Sequence, residues 1–392
     1  MAKVITTELQ HSGASGANIT MDGSKNVTCE NNLQVDGNLT VTGTIPAAKL
    51  TGALPAISGA SLTGISSQDT LSNRNLMING DMRISQRGAY TGQGTSGKYG
   101  TDGWELKGQA SGMVHSFIHQ DTGMNEFPKC LRMDCTTAAT GAVTEVKLTQ
   151  MIESQDLGRF KFGTSSAESI TVSFWCRSNQ ASTFVVWMHR DDGGRHNGKT
   201  FAISAADTWE KKTITFSPDT SGTPANDNTR GFQISWILNS GTGYTSGTSP
   251  NGTWEAITDV NRYVGLTATI GGNTNDYFDL TGVQVETGTT ATDFEHRTYG
   301  DELQRCLRYY WQDNVGNTTH AFFFFSYVSS HKRLIIHWPV PMRTAPTRTL
   351  VVNTGSPTAS VNSIYQGNWY VGSTYSDTQH YVGESIICDA EL

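Results

Sequence analysis

Apolar and polar residues alternate strictly over long stretches of this chain, with breaks rich in Gly, Asn and Asp. Residues 169–177 read Ser-Ile-Thr-Val-Ser-Phe-Trp-Cys-Arg, which sets Ile170, Val172, Phe174 and Cys176 on one face. A period of two is the mark of a strand with one buried face. The same texture recurs over 183–189, 209–216, 232–238, 263–270 and 277–286, with no helical period between. Short alternating strands joined by turn residues predict an antiparallel β-sandwich, jelly-roll-like, over residues 73–299.

One segment has a different period. In 300–312, Leu303, Cys306, Leu307 and Tyr310 recur at helical spacing, and Asp301 and Glu302 precede them. Acidic residues at a helix start complement its dipole, so a short helix is expected here. Strand texture then returns at 320–328, 334–338 and 349–352. Residues 300–392 therefore read as a short helix plus a small, distal, aromatic-rich β domain.

Residues 1–72 follow neither pattern. The chain has no Phe, Trp or Tyr before Tyr90. Asn32–Gly37 is echoed by Asn38–Gly43, and Leu50-Thr51-Gly52 by Leu62-Thr63-Gly64. Units this small bury too little surface alone and must lean on neighbours or on copies of the chain. The expectation is an N-terminal trimeric β stalk over residues 20–70, with a flexible linker as the alternative.

Composition narrows the function classes. Charged residues are 16% of the 392, below the roughly 25% of an average globular protein, and the net charge is −7. Ten prolines without a glycine period exclude collagen, and the low charge disfavours a coiled-coil shaft. An acidic chain lacks the basic footprint of a nucleic-acid binder, so no nucleic-acid partner is expected. The longest dense apolar run, Ala321–Val328, is too short to span a bilayer, so no membrane insertion is expected either. The N-terminus has no signal-peptide core, which predicts synthesis in a cytoplasm. The six cysteines lack CxxC spacing and read as small reduced hydrophobes.

Several motifs resemble one family. Asn75-Leu76-Met77-Ile78-Asn79-Gly80-Asp81-Met82-Arg83-Ile84-Ser85-Gln86-Arg87-Gly88 looks like the opening motif of a domain common in tailed-bacteriophage tail fibre proteins. Tyr99-Gly100-Thr101-Asp102-Gly103-Trp104 is similar to the element that follows it. Leu280–Glu286 with Phe294–Gly300 looks like the closing motif, and Glu302–Tyr310 and Pro339–Thr347 resemble the fibres' C-terminal part. The resemblance covers about residues 73–350. It implies a homotrimeric fibre in the virion tail, with a sandwich similar to carbohydrate-binding modules. It further implies attachment to other tail proteins, expected through residues 1–30, and action at the host outer surface on polysaccharide or lipopolysaccharide. It carries no catalytic residues.

Sugar recognition sets aromatic faces against the C–H faces of a pyranose, with amides and carboxylates for the hydroxyls. Tyr365, Trp369, Tyr370, Tyr375, Asp377 and His380 have that composition, and Gly and Ser punctuation puts some of them on loops. Trp175 and Trp187 form a second candidate pair, against the plainer reading that a covering loop packs on them. The cluster from His189 to Asn197 reads as a hairpin turn rather than a metal or acid/base site, because Asp-Gly-Gly is turn chemistry. Asp276, Asp279 and Glu286 are weighed as a structural calcium site and set aside, since Asp276 and Asp279 differ in strand parity. No cofactor, metal or catalytic residue is assigned, and no nucleophile elbow is present. The expected function is a non-enzymatic, receptor-binding tail fibre. The alternatives are a polysaccharide-cleaving tailspike or a purely structural tail or neck component.

Overall fold

The computed structural model describes residues 8–9, 19–21, 27–29, 73–93, 98–249, 251–313, 332–352, 358–363, 365–371 and 383–392. The chain divides into two compact units, Met1–Ile65 and Ser66–Leu392. In the first, β1 (Glu8–Leu9), β2 (Ile19–Met21) and β3 (Val27–Cys29) form an antiparallel sheet in that order. The repeats at 32–64 lie outside the described residues.

The second unit is built on two antiparallel sheets. Its strands are β4 (Tyr90–Gln93), β5 (Lys98–Tyr99), β6 (Glu105–Ala110), β7 (Val114–Asp121), β8 (Lys129–Thr137), β9 (Val143–Glu153), β10 (Ile170–Ser178), β11 (Thr183–Arg190), β12 (Arg195–Ala202), β13 (Glu210–Phe216), β14 (Arg230–Ser240), β15 (Glu255–Ala256) and β16 (Tyr277–Thr287). One sheet has six strands in the order β13-β10-β16-β8-β7-β4, the other seven in the order β15-β12-β11-β14-β9-β6-β5. The alternating residues meet between them. Phe174 packs edge-on to Trp236 at 5.4 Å and Phe184 lies 5.1 Å from Phe278, so rings from both sheets interlock. Edge and tilted ring pairs of this kind add to the area each ring buries.

Segment 263–270, expected to be a strand, is not one. Gly265 takes a left-handed φ of +88°, and the chain turns there instead of extending. Short helix α1 (Thr242–Thr245) and the following loop lie over the seven-stranded sheet, with Tyr263 N–H donating to the Tyr244 carbonyl at 2.8 Å.

Helix α2 spans Tyr299–Leu307, shorter than expected. Its cap is Thr298, whose hydroxyl accepts from Asp301 N–H at 3.2 Å. Tyr310 does not continue the helix but opens β17 (Tyr310–Asp313). The backbone N–H of Ala390 takes the Tyr309 carbonyl at 2.8 Å and draws the chain into a sheet. The last strands are β18 (Lys332–His337), β19 (Thr347–Val352), β20 (Thr358–Asn362), β21 (Gln366–Val371) and β22 (Gly383–Asp389), in three-stranded sheets β17-β22-β19 and β18-β21-β20. The expected strand at 320–328 lies outside the described residues. Beyond residue 300 the chain stays tied to the sandwich. Arg308 grips Glu153 through two bonds of 2.6 and 2.7 Å, and Arg87 pairs with Glu391 at 2.9 Å.

The opening and closing motifs turn out to be one fastening. Asn75 bridges to β16, its amide donating to the Val283 carbonyl at 3.0 Å and its oxygen accepting from Val285 N–H at 3.0 Å. Gly80 lies so close to β16 that an added Cβ would stand 2.2 Å from the Val283 carbonyl oxygen. Asn79, at φ +53°, donates to the carbonyls of Ile84 and Asp102. Arg297 donates to the carbonyls of Asn75 and Met77 and pairs with Glu295 and Glu302. Asn79, Asp102 and Trp104 are fully buried. These motif residues therefore hold the domain closed and are not available to a ligand.

Candidate functional site

Among the described residues expected to touch sugar, Trp175 and Trp187 lie on different sheets. Trp175 stands half-buried on the outer face of the six-stranded sheet, in register with Lys211 on β13 and Thr281 on β16. Trp187 is on the outer face of the other sheet, and only 2% of it is exposed. Tyr263 packs edge-on against it at 5.6 Å and the Arg262 guanidinium lies 5.6 Å above it. A surface contact for Trp187 is thus corrected: the loop after α1 folds over it. Tyr365 is 60% exposed ahead of β21, while Trp369 and Tyr370 take positions opposite Leu334 and Arg333. Tyr375, Asp377 and His380 lie outside the described residues.

The titratable hairpin is a turn, with Arg190 opposite Arg195 and Gly194 at φ +55°. Among the described residues no cluster of His, Cys, Asp or Glu could hold a metal ion. Asp279 is taken by Arg132 and Arg177, Asp276 accepts from Asn273 N–H at 2.8 Å, and Glu286 from Thr292 N–H at 2.9 Å. Cys130, Cys135, Cys176, Cys306 and Cys388 are buried and unpaired. Burial pushes the Cys135 thiol up to about 11 and the Cys388 thiol to about 12, which removes their nucleophilicity at neutral pH.

Polar side chains concentrate on the outer face of the seven-stranded sheet, and register explains how. One row across the strands is Glu255, His196, His189, Gln233 and Met151; the next is Gly198, Trp187, Ser235, Thr149 and Glu105. Neighbours within a row stand about 4.8 Å apart, and the two rows together draw on six strands, β15, β12, β11, β14, β9 and β6. Trp187 stacks on His189 at 5.3 Å and 20°. Gln233 donates to the Ser235 hydroxyl at 3.0 Å, which meets Thr149 Oγ1 at 2.8 Å. Lys147 pairs with Glu145 at 2.9 Å, and Arg230 with Asp191.

Four buried polar atoms on and beside this face have no hydrogen-bond partner: Glu105 Oε2, Asp191 Oδ2, Arg230 Nε and Arg262 Nε. Buried polar atoms are normally paired, since leaving one unpaired costs about 1–3 kcal/mol. Burial also moves several groups toward their neutral forms. It holds His189 and His196 below the ordinary histidine value, lowers Lys147 and raises Glu105. Most of these groups are covered: His196, Ser235 and Thr149 are 0% exposed, Trp187 2% and Gln233 4%, while His189 is half-buried. At one end Ile257 and Val260 are exposed; at the other, Glu391 and Leu392 lie beside Tyr99, Glu105 and Met151.

Of these residues only Trp187, the two histidines and Asp191 stand out in the sequence. Gln233, Thr149 and Glu105 are ordinary polar positions of alternating strands, and only strand order brings them together.

No family model matches the chain, and no curated protein matches it. Solved structures similar to it include the enzymatically active domain of tailspike protein 4 of bacteriophage CBA120, at 9% identity and a TM-score of 0.30, covering 55% of this chain. The chain spans 21% of that structure's own length. Another is TmCBM61 in complex with β-1,4-galactotriose, at 9% identity and a TM-score of 0.27, covering 55% of this chain and 99% of that one. A third is the CBM22-1 xylan-binding domain of Paenibacillus barcinonensis Xyn10C, at 11% identity and a TM-score of 0.24, covering 55% and 96%.

Proposed function

We propose that this chain is a tail fibre protein of a bacteriophage that attaches the virion to host-surface glycan without cleaving it. In this reading it is made in the host cytoplasm, assembles as a homotrimer in the virion tail and acts at the host outer surface. The glycan lies on the outer face of the seven-stranded sheet. The observation that carries the reading is the Trp187–His189 stack with three atoms near it that lack a hydrogen-bond partner, Asp191 Oδ2, Arg230 Nε and Arg262 Nε. A sugar hydroxyl both donates and accepts, so one ligand class meets unsatisfied donors and acceptors together. The motif resemblance over residues 73–350 supplies the fibre context. Several copies raise attachment to a repetitive surface by avidity, even where one site is weak.

The test is titration of purified full-length protein with host-surface polysaccharide, alongside Gln233→Ala and Arg230→Ala. Each variant is expected to bind about threefold to tenfold more weakly, the equivalent of one lost hydrogen bond. Wild-type affinity in both variants would remove the site from the reading. Release of oligosaccharide fragments would replace attachment by cleavage.

A further inference from the structure

A groove of about 750 Å³ opens beside the fastening of the two motifs, walled by Asn73, Glu295, Asp301, Arg305, Arg308 and Pro341. Its charges are not equivalent. Arg308 is taken by Glu153, and Glu295 by Arg297 and the backbone N–H groups of Asn73 and Asn75. Two groups on α2 are left over. The exposed Asp301 carboxylate meets the Thr298 hydroxyl at 2.7 Å, and the Arg305 guanidinium meets the Asn73 side-chain oxygen at 2.7 Å. Among the described residues neither has an opposite charge within 4.0 Å. Beside them Tyr299 is 57% exposed, one of four exposed large apolar side chains among the described residues.

The groove is also where the described chain of the larger unit begins, at Asn73. The preceding residues contain no aromatic and repeat in short Gly-closed units, a composition that must lean on copies of itself. We propose that this groove is an interface between copies of the chain, with Tyr299 and Asp301 of one copy packed against Arg305 of the next. The occupant is a second copy because the wall carries one free acid and one free base, which a rotated copy of the same wall complements. A surface that meets its own copy this way needs no other partner chemistry. The inference rests on the reading of residues 20–70 as a self-associating stalk.

The test uses the full-length chain in a Cys29→Ser background, which leaves the five buried cysteines Cys130, Cys135, Cys176, Cys306 and Cys388. Gln304→Cys, exposed on the groove wall, is treated with a short bis-maleimide, and copies are expected to become covalently joined. Asp301→Lys and Arg305→Glu are each expected to raise the concentration for half-dissociation at least tenfold by sedimentation. The double variant is expected to restore it, and unchanged circular dichroism shows that α2 persists. A chain that associates as wild type in both single variants, with no cross-link through residue 304, overturns this interface and leaves the stalk reading standing. A wild-type chain that is monomeric at micromolar concentration overturns both.

Discussion

The indole N–H of Trp187 donates to Nδ1 of His196 at 3.1 Å, and Nε2 of the same ring lies 3.0 Å from the Glu255 carboxylate and 3.4 Å from the Thr258 N–H. Burial holds His196 and His189 below the ordinary histidine value of 6.5. A second proton on His196 would face the indole donor directly and break that bond. Glycan binding is therefore expected to be flat above pH 7 and to weaken as pH falls well below 6.5. Titrations at pH 8, 7 and 5 check this, and equal affinity at all three would disconnect the histidines from binding.

The same pair separates the two tryptophans. Trp187→Ala removes a buried ring and is expected to destabilise by about 3–5 kcal/mol. Trp187→Phe keeps most of the packing but strands a buried imidazole nitrogen, a loss of about 1–3 kcal/mol. Trp175 is half-buried, so Trp175→Ala should cost clearly less than Trp187→Ala. Denaturant midpoints order the three variants. A Trp175→Ala loss as large as that of Trp187→Ala would mean that the outer face of the six-stranded sheet is covered in solution.

Two glycines should respond in opposite directions. Gly80→Ala drives a methyl group into the Val283 backbone, where no side chain can yield, and is expected to cost at least about 1–3 kcal/mol. Gly300 is in α2 with nothing within 4 Å of an added Cβ. Ala there favours the helix, and a gain of up to about 1 kcal/mol is expected. Thermal melts of the two variants should move apart, and a neutral Gly80→Ala would show that the opening motif is not docked on β16.

His115 gives the fold an acid-sensitive point. It is 1% exposed, neither ring nitrogen has a partner, and burial lowers its affinity for a proton. Above 6.5 the folded and unfolded states are both neutral at this site and it adds no pH dependence. Below 6.5 the unfolded chain takes up a proton that the folded chain refuses, so stability falls until the lowered folded value is reached. The slope approaches about 1.4 kcal/mol per pH unit for one such group. His115→Leu is expected to lose less stability than wild type between pH 7 and pH 5 in urea unfolding. Equal losses would place the acid sensitivity elsewhere, with His119, His189 and His196, which are shifted the same way, as the next candidates.

The alternation over 169–177 and 277–286 was enough to place β10 and β16 within a residue, because each strand has one face in a common core. It failed at 263–270, where Tyr263 and Ile270 are buried as in a strand but Gly265 bends the chain into a cover for Trp187. Periodicity records burial and does not distinguish a strand from a loop that is packed down. The helix was read too long for a related reason: Tyr310 has the right spacing and is buried, but β22 competes for its backbone and wins. Little of the candidate site was legible. Gln233 and Glu105 acquire meaning only when β14 and β6 are known to flank β9. The motifs that pointed to a family were legible as strings, and their physical task, closing the domain on itself, was not.

That closure decides how the molecule carries tension. Asn73 and Glu295 are 222 positions apart in sequence, and the Asn73 N–H donates to the Glu295 carboxylate. A pull entering at residue 73 and leaving through α2 passes across this short clasp, braced by Arg297, and does not run along the sheets. The strands between are left slack, so a chain under load should yield first at a handful of side-chain bonds and keep its sandwich intact until they part.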